Sequence, residues 1–391
     1  MQAARRHRSW RQGAQRAFDV VGLTLWLALT CWVLLVARSQ LDAAPMWRLL
    51  LAAALAHVLA RALGRWSVLI VPWSIVLCAG TVAAFWTLQA VVSPQLLRWQ
   101  VGGYVGAWLL RRAPAFGAAM LWWRDPLGYA NATAALTLVG AAASLVVAAR
   151  TTGGMRRVAL GIAALCAVAP ALHDAQAAAL LATALIVLFA VSDGRPPVRL
   201  VVRCAVVAVL VVLCATVAIG IAYNGLGTPD RLVGGTLSGN RALLWGDALD
   251  QVASAPVTGV GVNRFSQVSP VALRNADLRW THQELLQLAA ETGLPGLALG
   301  LALVLWALVR PAVGPRDAGT AFVVAGVAAV GVAAQIDYIW HFPVVALATA
   351  ALTGCGRGDL AAVGDVDHLL GYGEPGVLTA RAGDALGSQQ P

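Results

Sequence analysis

The stretch VRLVVRCAVVAVLVVLCATVAIGIA, Val198 to Ala222, carries no charge after Arg203. At about 1.5 Å of rise per residue it is long enough to cross a hydrocarbon core about 30 Å thick as a helix. A second long apolar run extends from Phe18 to Ala37. Working outward, apolar length and flanking polarity predict helices near 17–37, 46–63, 66–92, 127–149, 156–171, 174–191, 198–222, 284–309, 318–336 and 338–355. Hydrophobic residues fill 59% of the 391 positions and charged residues only 12%, against about a quarter charged in an ordinary soluble domain. Such a chain has too much apolar surface for a soluble fold. The expected class is an all-α polytopic membrane protein of about ten transmembrane helices.

All 28 basic residues are arginine, and the formal net charge of +10 would suggest nucleic acid in a soluble protein. Topology explains the balance better, and no nucleic-acid partner is expected. Placing the N-terminus inside gathers Arg5, Arg6, Arg8, Arg11 and Arg16 on the cytoplasmic side with Arg61, Arg65, Arg150, Arg156, Arg157, Arg195, Arg199, Arg203, Arg310 and Arg316. The short turns at Leu172 to Asp174 and at Asp337 carry no arginine, so the positive-inside rule favours this orientation. Both termini are then cytoplasmic, in a multi-pass protein of the cytoplasmic membrane. The first arginines and the run behind them mimic a signal peptide, but no small-residue cleavage motif follows at Cys31 to Ser39, which predicts an uncleaved first helix. The six cysteines lie in or beside apolar spans without metal-ligand spacing, so neither disulfide nor zinc site is expected.

This reading divides the chain into helices one to seven (1–222), a large extracytoplasmic loop (223–283), three C-terminal helices (284–355) and a cytoplasmic tail (356–391) expected to be disordered. The arginines left outside concentrate in 93–126 and 223–283. Long loops cross regardless of charge, so arginine gathered on the outer face invites an anionic ligand. In the first segment Arg98, Trp99, Tyr104, Trp108, Arg111 and Arg112 mix basic and aromatic groups, as an interfacial helix does.

The second segment carries the chemistry. Ser238 can cap a helix over 239–254 that ends before Pro256, with Leu244, Trp245, Ala248, Leu249 and Val252 as its apolar stripe. Arg241 falls on the face that packs down, either as a snorkelling or ion-paired arginine or as a functional one. The run Gly259-Val260-Gly261-Val262-Asn263-Arg264 reads as a plain turn, with presentation of backbone amides to a phosphate as the alternative. Thr281-His282-Gln283-Glu284 reads as a capping box, with Thr281 as N-cap and Glu284 at the third helical position. That puts His282 at the first helical position, where the helix dipole favours a neutral imidazole able to accept a proton from a hydroxyl. The following helix is interrupted at Gly293-Leu294-Pro295-Gly296, and Glu291 reads as a carboxylate held by the arginines of the cavity there. Asp337 and His341 stand four apart before Pro343, a spacing that suggests a mutual hydrogen bond on one helix face.

Three stretches, RDPLGYANATAA (Arg124 to Ala135), NRALLWGDALDQVASAPVTGVGVNRF (Asn240 to Phe265) and HQELLQLAAETGLPG (His282 to Gly296), followed by the Asp337 to Pro343 turn, resemble the O-antigen ligase/polymerase family of membrane glycosyltransferases. The resemblance covers most of residues 60–355 and implies a polyprenol-dependent helical glycosyltransferase-like fold with no required metal and no other cofactor. It implies transfer of a glycan, usually with inversion, from a polyprenyl diphosphate carrier to an acceptor hydroxyl at the outer face. The acceptor would be a glycan, a lipid or a polymer. By position Arg241 matches the family's essential loop arginine and His282 its essential histidine. Gln283 stands where the family often has asparagine, a longer amide that touches the acceptor side. Arg124, Arg264, Glu291, Asp337 and His341 complete the expected substrate-binding set.

Two other classes remain at the sequence level. Broken helices and buried charges also mark transporters and lipid flippases, but no inverted repeat is visible and no apolar span carries a mid-membrane carboxylate. A non-catalytic scaffold for envelope assembly is the third reading.

Overall fold

The computed structural model describes residues 2–64, 66–92, 125–173, 175–224, 237–274, 278–313 and 317–355. The expected interfacial helix, Arg124, the side chain of Ser238 and the expected tail lie outside the described residues. Within them every regular element is helical: α1 (Gln2–Val36), α2 (Gln40–Leu63), α3 (Ile70–Val92), α4 (Ala130–Arg150), α5 (Gly153–Leu172), α6 (Gln176–Val191), α7 (Val198–Asn224), α8 (Leu237–Ser254), the short α9 (Phe265–Val268) and α10 (Pro270–Arg274), α11 (Glu284–Val313), α12 (Ala318–Ala334) and α13 (Pro343–Gly354). All ten expected helices recur, and seven described helices are long and apolar enough to cross a membrane. Helices α6, α12 and α13 are shorter. The last expected helix, 338–355, divides into a 3-10 turn (Ile339–His341) and α13, because Pro343 lacks an N–H and suits the first turn of a new helix.

The core forms around α4, whose span is 94% buried. Its many alanines leave the helix without bulk, and α3, α5, α6, α12 and α13 close on it. A Cβ at Gly140 would stand 2.4 Å from that of Ala79 on α3. Small residues at such crossings let van der Waals contact replace the hydrophobic drive that lipid does not provide.

Ionic contacts fix the helix ends. At the base of α4, Arg150 Nε donates to Asp317 at 2.9 Å and Nη2 to the Cys355 carbonyl at 3.1 Å, tying α4 to the start of α12 and the end of α13. On α1, Asp19 receives two donors from Arg310 of α11, at 2.6 and 3.1 Å, and one from Arg61 of α2, at 3.2 Å. Arg310 lies on the order of 40 Å of helix from the start of α11, so this cluster belongs to the end of the bundle away from His282. Asp19 is a carboxylate within a span, two turns from its end, and it is matched by arginines.

Helix α11 breaks at Gly293, whose φ of 74° and ψ of −177° leave the helical region. The preceding turn of helix loses its internal donors, and the 256–264 loop replaces them. Val260 N donates to Ala290 O at 2.9 Å, Gly261 N to Glu291 O at 3.1 Å, and Leu294 N to Pro256 O at 2.7 Å. Trp32 Nε1 of α1 takes the Thr292 carbonyl at 2.8 Å. Loop and helix are so close that a Cβ on Gly259, at φ 65°, would lie 2.4 Å from the Glu291 carbonyl carbon. Gly259→Ala should therefore cost at least about 2 kcal/mol through strain and forced separation. Thermal unfolding of the detergent-solubilised protein checks this, and an unchanged midpoint would overturn it.

Candidate functional site

Four segments distant in sequence meet at the Asp337 carboxylate, which is 4% exposed. Tyr129, at the start of α4, donates its hydroxyl to Oδ1 at 2.9 Å and Oδ2 at 2.8 Å, and Asn131 Nδ2 donates to Oδ2. Arg241 of α8 reaches Oδ2 through Nη2 at 3.3 Å. His282 Nδ1 lies 3.0 Å from Oδ1, and the Tyr338 amide donates to the same oxygen at 2.8 Å. An ionised carboxylate has no proton to give, so the Nδ1 contact requires an N–H there, and whenever the ring is neutral Nε2 is its accepting nitrogen. This is the arrangement in which a carboxylate orients a histidine base.

Burial pushes the Asp337 carboxyl up, but the hydrogen bond and charge interaction with His282, the charge of Arg241 and the Tyr129 hydroxyl outweigh it and hold the group below the usual carboxylate range. Burial and the charge of Asp337 push the Tyr129 hydroxyl up and move Tyr338 to about 12, so both stay neutral donors. Arg241 Nε and Trp245 Nε1, one helical turn apart, are buried without a hydrogen-bond partner.

Local backbone differs from the expected capping box. His282 stands in the left-handed region at φ 54°, rare for a residue with a side chain, and the helix starts at Glu284. Thr281 Oγ1 accepts from Gln283 N at 3.1 Å instead of from the third helical residue. Gln283 does the capping: its Oε1 accepts from Leu286 N, and its Nε2 donates to Gln335 Oε1 at 2.8 Å and Thr216 Oγ1 at 3.3 Å. The longer amide is thus turned inward and buried. Freed from the box, Glu284 accepts from the Trp340 amide at 2.7 Å and pairs with His341 Nδ1 at 3.2 Å. Burial alone would lower the His341 ring, but the Glu284 charge raises it above the ordinary histidine value.

Two further expectations are corrected. Asp337 and His341 do not bond each other: a 3-10 turn, not an α-helix, joins them, so the spacing of four does not align their side chains. Glu291 is held by amides rather than arginines, accepting from Asn263 N at 2.9 Å, Phe265 N at 3.4 Å and Gln287 Nε2 at 2.7 Å. With Val260 and Gly261 amides also spent on α11, this loop works as the clasp of a broken helix. Arg264 bonds Gln267 at 3.2 Å and flanks Gly261 beside Arg38, with no contact to Asp337. Arg124 is outside the described residues. Sequence reading overlooked Tyr129 and Asn131, although both stand inside the quoted Arg124 to Ala135 stretch, where a polar pair opening an otherwise alanine-rich helix was the available signal.

Residues 161–301 match the O-antigen ligase family. That region contains Arg241, His282 and the broken start of α11. No curated protein matches the chain. The O-antigen ligase match and the apolar helices together support a multi-pass membrane glycosyltransferase of the ligase/polymerase type.

Proposed function

We propose that the chain transfers a glycan from a polyprenyl diphosphate carrier to an acceptor hydroxyl at the outer face of the cytoplasmic membrane, with inversion and without a metal. The observation that carries this reading is the convergence of Arg241 and His282 on the two oxygens of Asp337. His282 Nε2 takes the proton of the acceptor O–H as that oxygen bonds to the anomeric carbon. The bond from that carbon to the diphosphate oxygen breaks, and the polyprenyl diphosphate leaves with the electron pair. Charge developing on the leaving group is met by Arg241, whose single end-on contact to Asp337 leaves the rest of its planar fork for phosphate oxygens. Asp337 holds the imidazole in the accepting tautomer. Whether the acceptor is another lipid-linked glycan, as for a polymerase, or a different lipid or polymer, as for a ligase, does not alter these roles.

Helix direction supports one outer site. Tyr129 precedes α4, α8 follows the end of α7, His282 precedes α11 and Asp337 follows α12, so all belong to the same ends of antiparallel helices. The opposite ends carry Arg150, Arg156, Arg199, Arg203 and Arg310, as a cytoplasmic face would. In this topology ten helices cross, the three short ones included, and both termini are cytoplasmic. Reporters fused within 223–236 should read outside, and reporters after Arg357 inside. A cytoplasmic signal from the loop would overturn the orientation.

Arg241→Ala should abolish transfer while the protein still inserts, and Arg241→Lys should give an intermediate rate, because lysine keeps the charge and loses the fork. Both are read as lipid-linked glycan consumed by purified protein. Full activity in Arg241→Ala would return the residue to a packing role.

A further inference from the structure

Beside His282 stands a group of half-buried rings that the transfer mechanism does not use. Trp280 lies 4.5 Å from His341 and 5.9 Å from Tyr338, centroid to centroid. Tyr338 in turn meets the His282 ring at 4.8 Å, edge to face, and stacks on Tyr129 at 4.9 Å. Ordinary core packing does not account for their exposure. The apolar side chains of the same two segments, Leu285, Leu286 and Ile339, turn inward and are 1–3% exposed, whereas Trp280, Tyr338 and His341 stay partly open.

We propose that Trp280, Tyr338 and His341, with the Glu284 carboxylate behind them, form the subsite for a pyranose ring at the end of the acceptor. This rests on the reading of His282 as the base. A pyranose presents an apolar face of C–H bonds and a rim of hydroxyls, so it needs a flat aromatic surface bordered by hydrogen-bonding groups. The ring cluster offers both. It suits a neutral ligand, because the charges of His341 and Glu284 cancel across 3.2 Å. A phosphate would want uncompensated cations, and an alkyl chain would not need the polar border.

The geometry also separates acceptor from donor. His282 uses Asp337 Oδ1 and Arg241 uses Oδ2, and the rings adjoin the His282 side. Inversion requires the attacking hydroxyl to approach opposite the leaving diphosphate, and the rings adjoin His282 through Tyr338 rather than Arg241. On this reading the acceptor hydroxyl is carried by a sugar ring.

Saturation-transfer NMR on the full chain in detergent tests this, with methyl β-D-glucopyranoside, methyl β-D-galactopyranoside and methyl α-L-rhamnopyranoside as probes and glycerol as the ringless control. At least one pyranoside should receive saturation on one face of its ring, and glycerol none. Trp280→Ala should cut the signal by about fivefold, the worth of one aromatic contact, and Trp280→Phe should retain most of it. Undecaprenyl diphosphate binding unchanged in Trp280→Ala reports an intact fold. No transfer to any pyranoside in the wild type, or equal transfer in Trp280→Ala, overturns the subsite. His282→Gln should leave pyranoside binding in place, so a His282 variant that keeps full glycan transfer would sink the base role alone.

Discussion

His282→Gln is expected to lower glycan transfer by about 10²–10⁴-fold, the usual worth of a positioned general base, while polyprenyl diphosphate binding stays near the wild-type level. The separation follows from the site. His282 donates through Nδ1 to Asp337 Oδ1, whereas Arg241 meets Oδ2 from α8, a different element. Removing the imidazole therefore takes away the proton acceptor without touching the cation proposed for the diphosphate. Glutamine cannot accept a proton near neutral pH, yet it fills a similar space. The measurement is donor binding and single-turnover transfer on purified protein, mutant against wild type. If binding disappears as completely as transfer, His282 is a diphosphate ligand or a structural residue, and the base must be sought elsewhere.

Asp337→Asn should produce a loss of similar size for another reason. The substitution preserves shape but offers one oxygen where there were two, and that side chain can no longer attract Arg241 or require a proton on His282 Nδ1. With the amide nitrogen toward the ring, Nδ1 becomes the acceptor and Nε2 carries the proton, the wrong tautomer for a base. In the serine-protease triad the corresponding change costs about 10⁴ in kcat. Stability should change as well. Because the folded carboxyl sits below its ordinary value, its contribution is present above a pH of about 3.9 and is lost as pH falls through the lowered value. The acid limb of the variant's thermal midpoint should be shallower than the wild type's by this contribution, and the variant should denature at a lower temperature than the wild type near neutral pH. An Asp337→Asn protein with wild-type transfer would remove the orienting role.

The class of fold was legible from the chain because length and hydrophobicity alone decide whether a helix can lie in lipid. The runs at Phe18 to Ala37 and Val198 to Ala222 needed no partner to be recognised, and the break at Gly293-Leu294-Pro295-Gly296 was announced by residues that cannot continue a helix. Arg241 and His282 were also within reach, since an arginine on a packed face and a histidine beside a helix start are local anomalies. What the chain could not reveal was who meets whom. Asp337 is bonded to residues 55, 96, 206 and 208 positions away, and no periodicity connects them. Local rules even misdirected three readings: the capping box at Thr281, the Asp337–His341 pair and the arginine setting of Glu291. Each assumed that a nearby partner wins. In the fold, buried groups took whichever donor the crossing helices brought, because leaving a carboxylate or an amide unpaired out of water costs more than the local bond is worth. Sequence determined that the chain is helical and apolar enough for a membrane and which residues were chemically unusual. Tertiary structure decided that Asp337 is the point at which they become one site.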